Sequence, residues 1–220
     1  MRIVRRVAAV LSVLFLATSV MFAIQVSRAK QVVSNSPNLL SEPKHPVTEP
    51  MWAKSRALAK NAAPNFTLET PDGKAIELMA ACQDRPVVLV FTKDGCPCSI
   101  EAQAFFNQLS TGYDKSVQFY GVIDGVSHVA SKYRDDLKVP YDMLLETNGR
   151  VFKAYKANQS TYTTLVGKGG QILKQWPGYS RAMLVELDEM LAKETGRPAA
   201  RIDTTMAPEK MNSGCAFTFG

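Results

Sequence analysis

Cysteine and histidine are scarce in this sequence, with four cysteines and two histidines among 220 residues. Four cysteines are too few to form a disulfide scaffold in a chain of this length. The composition is 46% hydrophobic and 21% charged, which excludes a disordered or collagen-like chain. No run of lysine and arginine is interleaved with aromatic residues, so nucleic-acid binding is not indicated. These absences predict one globular domain with extensions, in which any thiol chemistry depends on very few residues.

Acidic residues are absent from the N-terminal stretch, residues 1–26, which contains Arg2, Arg5 and Arg6. An uncharged run over residues 7–26 follows these arginines, and it is long enough to cross a bilayer core of about 30 Å. The rest of the chain carries a net charge of +3, against +6 for the whole chain. The excess charge therefore indicates a membrane-targeting signal, which keeps the N-terminus cytoplasmic and sends the body across.

Two interpretations of the N-terminal segment remain open. Residues 1–29 are either an uncleaved transmembrane anchor or a signal peptide cleaved after a small residue, such as Ser19 or Ala29. Both place the body outside the cytoplasmic membrane, anchored or secreted, where disulfides persist. Residues 30–62 are polar and rich in proline, and they are predicted to be a spacer, with an ordered arm that wraps the domain as the alternative.

From Phe66 onward, the sequence alternates between strand and helix patterns. An apolar, β-branched run over residues 87–91 predicts a central strand that is covered on both faces. Apolar residues at helical spacing then predict a helix that begins beyond Cys98, and a hairpin and a final helix over residues 180–195 close the domain. The order predicts an α/β fold with a central mixed sheet and helices on both faces. We place this domain at residues 63–196 and a tail of little pattern at 197–220.

The candidate active site is Cys96-Pro97-Cys98, where the buried strand ends and the helix begins. Helix N-termini favour negative charge and lower a thiol pKa, so Cys96 is the predicted nucleophile. Cys98 lies just inside the helix and is the predicted attacker of a mixed disulfide formed at Cys96. Lys93 adds positive charge nearby, whereas Asp94 opposes it. A bridge between cysteines two residues apart is strained, so such a pair is expected to be comparatively oxidising. The alternative is that a helix already formed at Cys98 forbids the bridge, in which case Cys98 is a buried passive thiol and the partner of Cys96 lies elsewhere.

The sequence indicates a functional role less clearly for the remaining cysteines and for both histidines. Cys82 is predicted to be a small apolar residue. Cys215 is a candidate resolving cysteine in the tail, and pairing with Cys82 is the alternative. His45 and His128 are predicted to be surface residues. No metal site and no dissociable cofactor are predicted.

The segment from Phe91 to Cys98, with its strand and helix, resembles the thioredoxin-like redoxins. This superfamily includes the AhpC/TSA peroxiredoxins and the membrane-tethered TlpA/ResA-type thiol-disulfide oxidoreductases. Residues 139–155 are similar to a peroxiredoxin segment, and residues 163–172 resemble the strand-turn-strand after the active-site loop. The resemblance covers roughly residues 63–195, and it implies a thioredoxin-like three-layer sandwich with redox-active cysteines.

The sequence departs from both groups at informative positions. Peroxiredoxins have a proline and a threonine or serine seven and three residues before the peroxidatic cysteine, whereas Leu89 and Lys93 precede Cys96 here. The redoxins place a cis-proline before the strand that faces the cysteines, and the nearest positions here are Thr161 and Tyr162. The chain also resembles the Sco-type copper chaperones. It lacks the cysteine spacing that those proteins require, and it has no histidine after residue 128.

Three functions follow as hypotheses. The first is an extracytoplasmic thiol-disulfide oxidoreductase in which Cys96 reacts and Cys98 or Cys215 resolves. The second is a thiol peroxidase in which Cys96 becomes a sulfenic acid. The third is a non-catalytic, membrane-tethered binding module. The expected partners are a protein disulfide or peroxide, an unidentified thiol reductant or oxidant, and the membrane through residues 7–26.

Overall fold

A five-stranded mixed sheet forms the centre of the structure, a computed structural model that describes residues 43–218. The strands are β3 (Val87–Thr92), β4 (Gln118–Ile123), β5 (Asp142–Leu145), β6 (Thr163–Val166) and β7 (Ile172–Trp176), in the spatial order β5-β4-β3-β6-β7. Strands β3, β4 and β5 are parallel, and β6 and β7 run antiparallel to their neighbours. A separate hairpin joins β1 (Thr67–Glu69) to β2 (Ala75–Glu77).

Helices lie between the strands. They are α1 (Glu49–Arg56), α2 (Leu78–Ala81), α3 (Pro97–Tyr113), α4 (Ser127–Asp136), α5 (Arg150–Ala154) and α6 (Arg181–Thr195), with a single 3-10 turn at Asp114–Ser116. Ser180 caps α6 by accepting a hydrogen bond from the Met183 amide, as its sequence position predicts. Gly196 ends that helix in the left-handed conformation at φ +67°.

Strand β3 divides the core into two layers. All six of its residues are buried, as expected of a strand covered on both faces. Val88 and Val90 pack with helices α3, α4 and α6 on one face, whereas Leu89 and Phe91 pack with α5 on the other. Each fully buried side chain of this size stabilises the fold by about 1.5–3 kcal/mol. The α/β architecture with helices on both faces of a mixed sheet is confirmed.

The described part of the predicted spacer packs against the sheet. The Lys60 amide donates to the Ile172 carbonyl at 2.8 Å, and the Ala63 amide donates to Gly170 at 2.8 Å. Helix α1 also contacts β7. A spacer therefore does not describe residues 43–62, because backbone bonds and apolar contacts bind this arm to the domain. The predicted anchor or signal peptide, residues 1–29, lies outside the described residues. Within residues 43–218 no helix is both long and apolar enough to cross a membrane.

The tail, residues 197–218 of the structure, returns along the domain to the cysteines. The buried Asp188 carboxylate holds its start, because it accepts hydrogen bonds from the amides of Ala200 at 2.8 Å and Arg201 at 2.7 Å. Further along, Asn212 and Tyr179 exchange two backbone hydrogen bonds of 2.9 Å. The tail has little sequence pattern because these contacts, and not helical or strand periodicity, fix its path.

Candidate active site

The turn between β3 and α3 presents Cys96 at the N-cap of a 17-residue helix. Pro97 occupies the first turn, where its missing amide hydrogen costs no helical hydrogen bond. The amide groups and dipole at a helix N-terminus stabilise a thiolate. The sequence prediction for the position of Cys96 therefore agrees with the geometry.

Cys96 Sγ is surrounded by hydrogen-bond donors from three parts of the chain. The Cys215 amide donates to it at 3.2 Å, and the Ser160 hydroxyl donates at 3.3 Å. The Cys98 thiol also donates, and this bond is the main reason that the Cys96 pKa falls to about 3. Burial opposes this shift, whereas the bonds from Cys215 and Ser160 add to it. These contacts favour the thiolate form of Cys96.

Cys98 is the protonated partner in this arrangement. Its hydrogen bond to Cys96 raises the Cys98 pKa, and burial raises it further. The Asn212 side-chain amide approaches Cys98 Sγ at 3.5 Å, and His45 Nδ1 lies 3.6 Å from the same atom. The prediction of His45 as a surface residue is wrong, because the arm places its half-buried ring against the second thiol.

Cys215 lies on the tail directly over Cys96. Its carbonyl accepts from the Ser160 amide at 3.0 Å, and the Gly214 amide donates to the Ser160 carbonyl at 2.9 Å. Burial and a hydrogen bond to Cys96 raise the pKa of the Cys215 thiol to about 11. The structure therefore brings Cys96, Cys98 and Cys215 together, as reduced thiols.

The tail covers the nucleophile closely. Cys96 and Cys98 are each only 1% exposed, whereas Cys215 is partly accessible. A side-chain carbon at Gly214 would lie 1.9 Å from Ser160 Oγ, so only glycine permits this approach. A large substrate cannot reach Cys96 while the tail stays in place.

Cys82 lies apart from the other three cysteines. It is fully buried in the cluster that includes Leu89 and Phe91, on the opposite face of the sheet from Cys96. Burial raises the pKa of its thiol to about 11, which makes it unreactive. Its packing agrees with the predicted apolar role, and the alternative pairing with Cys215 is absent from the structure.

Lys93 and Asp94, the charged residues predicted near Cys96, do not simply oppose each other in the structure. Lys93 forms an ion pair with Asp124 at 3.0 Å, and Asp124 also accepts from the Asp94 amide at 3.0 Å. The Lys93 charge is therefore largely compensated. Hydrogen bonds, more than nearby cations, stabilise the Cys96 thiolate.

The sequence did not identify three residues that belong to the site. His45, Ser160 and Asn212 are distant from Cys96 along the chain, and no local motif marks them. Thr161, at one position expected for a cis-proline, has φ +64°, and the described residues contain no cis peptide bond. Residues 43–218 also contain no group of three His, Cys, Asp or Glu side chains placed to hold a metal ion.

The fold and the thiol pair define a thioredoxin-like redoxin. A model of the AhpC/TSA family matches residues 59–181. This match spans more than half of the chain, and the chain belongs to the AhpC/TSA family.

Similar proteins come from both branches of the superfamily. Chloroplastic peroxiredoxin Q of Oryza sativa subsp. japonica is 30% identical over 117 residues, which cover 51% of this chain and 52% of that protein. The thiol-disulfide oxidoreductase ResA of Bacillus subtilis is 31% identical over 114 residues, covering 51% and 63%. The chain thus spans between half and two thirds of these relatives.

A solved structure supports the fold. The secreted disulfide oxidoreductase of Mycobacterium tuberculosis superimposes with a TM-score of 0.51 at 19% identity, and the match covers 58% of this chain and 95% of that one. At this identity the likeness shows the thioredoxin-like fold alone.

Proposed function

We propose that this protein is a thiol-disulfide oxidoreductase that acts outside the cytoplasmic membrane, with Cys96 as its nucleophile. The observation that carries this proposal is the Cys96 thiolate at a helix N-terminus, in hydrogen-bond contact with a second thiol, Cys98. Relatives named as peroxiredoxin and thiol-disulfide oxidoreductase support thiol redox chemistry. A non-catalytic binding module would have no need for a stabilised thiolate.

The reaction begins when the Cys96 thiolate attacks one sulfur of a substrate disulfide. The S–S bond breaks, a mixed disulfide with Cys96 forms, and the first substrate sulfur leaves as a thiolate that takes a proton from water. A second protein thiol then attacks Cys96 Sγ, which releases the other substrate sulfur and closes an internal disulfide. Two electrons pass from the protein to the substrate, with one proton from the second thiol and one from water, and the reverse sequence oxidises a substrate dithiol.

Cys98 is the resolving thiol that this scheme favours. A protein substrate must displace residues 214–217 of the tail to reach Cys96, and Cys215 then leaves with them, whereas Asn212 stays bonded to Tyr179 and His45. Cys98 stays beside Cys96 because both belong to the start of α3. A stabilised thiolate favours the reduced form of the pair, so we infer a comparatively oxidising site, which runs the reverse sequence on a substrate dithiol and is then reoxidised by an external disulfide.

A thiol peroxidase is the second candidate, and the position of Cys215 favours it. Hydrogen peroxide is small enough to reach Cys96 with little movement of the tail. It would oxidise the thiolate to a sulfenic acid and release water, and Cys215 would then form a disulfide with Cys96 and release a second water. The residues at Leu89 and Lys93 oppose this reading, because they replace the peroxidase pattern.

Turnover by the full chain and its cysteine variants distinguishes the candidates. The assays are reduction of a protein disulfide with dithiothreitol as electron source, and consumption of hydrogen peroxide. We expect Cys96→Ser to abolish disulfide reduction and Cys98→Ser to stall as a mixed disulfide, whereas Cys215→Ser turns over. Cys82→Ala is the control, since that thiol lies outside the site. Retained reduction in Cys96→Ser contradicts the proposal, and fast peroxide consumption that needs Cys215 selects the peroxidase.

The location of the protein is proposed from residues 7–26 alone. Their length and the preceding arginines support an anchor or a signal peptide, and the structurally similar M. tuberculosis protein is described as secreted. Cell fractionation with N-terminal sequencing of the mature protein tests this, because an anchor keeps Arg2 and the run after it, whereas a signal peptide loses them. A protein found with the cytoplasmic fraction contradicts the proposal.

A further inference from the structure

The second thiol of the site has a base beside it that comes from outside the redoxin motif. His45 Nδ1 lies 3.6 Å from Cys98 Sγ, within hydrogen-bond distance for sulfur. The two residues are 53 positions apart in the chain. His45 belongs to the N-terminal arm, which packs against the domain at this point.

The arm and the tail hold the His45 backbone firmly. Its amide donates to Asn212 Oδ1 at 2.9 Å, and its carbonyl accepts from the Ser213 amide at 2.8 Å and the Ser213 hydroxyl at 3.0 Å. Asn212 also extends its amide nitrogen to Cys98 Sγ at 3.5 Å. The same side chain therefore contacts the thiol and positions the backbone of the base.

We propose that His45 is the general base for Cys98 in the resolving step. This inference rests on the proposed disulfide exchange with Cys98 as the resolving thiol. It adds a catalytic residue outside the motif, because His45 touches a reacting sulfur.

The proton has a clear route once the mixed disulfide forms. Before reaction, the Cys98 thiol donates to the Cys96 thiolate. When Cys96 Sγ becomes bonded to substrate, that acceptor loses its charge, and His45 Nδ1, in the tautomer protonated at Nε2, is the neighbouring acceptor. The proton moves from Cys98 Sγ to Nδ1, the Cys98 sulfur attacks Cys96 Sγ, and the substrate sulfur leaves as a thiolate. The imidazolium then returns its proton to water or to the leaving thiolate.

Four elements surround this pair with charged and polar groups. Helix α3 contributes Cys96 and Glu101, and the arm contributes Lys44, which forms an ion pair with Glu101. Tyr179 donates from the β7–α6 connection to Glu101 at 3.4 Å. The tail contributes the neutral groups of residues 212–213. Lys44 and Glu101 compensate each other's charge, so the two thiols are the reacting groups that face His45.

The test measures the resolving step alone in a single turnover. The full chain with Cys215→Ser, which removes the competing thiol, is converted at Cys96 to the mixed disulfide with nitrothiobenzoate. Attack by Cys98 releases the coloured thiolate, and its rate is followed from acid to alkaline pH. His45→Asn keeps a polar atom near the Nδ1 position but cannot take up the proton. His128→Asn is the matched control, because His128 is the other histidine of the chain and is exposed.

We expect His45→Asn to slow release by at least about 10²-fold at neutral pH, the usual contribution of a general base. Its rate should depend more steeply on hydroxide concentration than the rate of the parent, because hydroxide then has to replace the missing base. Alkylation of Cys96 in the reduced protein should be the same in both, which separates proton transfer from a structural effect. His128→Asn should match the parent.

Three results overturn the inference. The first is an unchanged release rate in His45→Asn. The second is a loss of Cys96 alkylation in that variant that is as large as its loss of release rate. The third is a mixed disulfide of the parent that forms but never resolves without Cys215. The last result leaves the reactivity of Cys96 intact and shows that Cys215 resolves it. A failure of Cys96 to form the mixed disulfide at all instead refutes the proposed function, and the role of His45 with it.

Discussion

Replacing Gly214 by valine should detach the tail from the nucleophile. The first side-chain carbon would lie 1.9 Å from Ser160 Oγ and 3.1 Å from the Ser160 carbonyl carbon, so the tail backbone has to move away. Three backbone hydrogen bonds would be lost with it: Gly214 to Ser160 at 2.9 Å, Ser160 to Cys215 at 3.0 Å, and Phe217 to Asn158 at 3.0 Å.

The size of the effect follows from these bonds. Each contributes about 1 kcal/mol net, and the bond from the Cys215 amide to the charged Cys96 sulfur contributes about 1.5–3 kcal/mol, so together they keep the tail in place by about 4.5–6 kcal/mol. Because about 1.4 kcal/mol changes an equilibrium tenfold, the native tail is open in about one molecule in 10³–10⁴. Cys96 is 1% exposed when the tail is closed, so a bulky reagent reacts only with the open form. Gly214→Val should therefore react about 10³–10⁴-fold faster.

A second consequence concerns the thiolate itself. The Cys215 amide donates to Cys96 Sγ at 3.2 Å, and this bond is lost when the tail leaves. A hydrogen bond to a charged group contributes about 1.5–3 kcal/mol, which corresponds to about 1–2 pKa units. The Cys96 pKa should rise by that amount, yet the residue stays a thiolate at neutral pH because its pKa begins near 3.

The assay is alkylation by a bulky maleimide in excess, with Cys96 modification measured by peptide mass spectrometry. Ala216→Val is the matched control, since Ala216 is exposed on the same tail and its rate should stay near that of the parent. Circular dichroism establishes that each variant is folded. A folded Gly214→Val with the parent rate would refute the reasoning that these contacts shield the nucleophile.

Two further predictions concern stability. Between about pH 3 and 8.5 the unfolded chain holds the Cys96 proton and the folded, reduced chain does not, so the free energy of unfolding should rise with pH there. Urea titrations at several pH values should show this slope, and Cys96→Ser should reduce it; equal slopes contradict the low pKa. Asp188→Ala leaves the amides of residues 200–201 without their acceptor and removes one of the two acceptors of the Tyr113 hydroxyl, which should cost about 2–4 kcal/mol in a urea titration. The exposed Glu189→Ala should cost under about 0.5 kcal/mol, and equal losses in both would refute the role of Asp188.

Much of the domain could be predicted because its pattern is local. The apolar run at residues 87–91 forms the buried strand β3, and the final helix begins at the predicted position after Ser180. Short elements such as α2 were missed, because four residues carry too little periodicity to stand out.

The candidate site likewise contains residues that could be predicted from local sequence and residues that could not. Cys96 and Cys98 could be identified because a strand–helix junction places them at a helix N-terminus. His45 could not, because its backbone hydrogen bonds to Asn212 and Ser213 decide where its ring lies. Neither the proline-rich arm nor the unpatterned tail indicates that the two would meet.

The amino-acid order alone specifies a buried strand that ends at two cysteines, since side-chain polarity and helix-end electrostatics act within a few residues. Packing decides the state of those cysteines. The tail supplies the Cys215 amide to the Cys96 thiolate, the loop before β6 supplies the Ser160 hydroxyl, and the arm brings His45 to Cys98. These contacts join residues far apart in the chain, and hydrogen bonds at about 3 Å form only once the whole fold has closed around them.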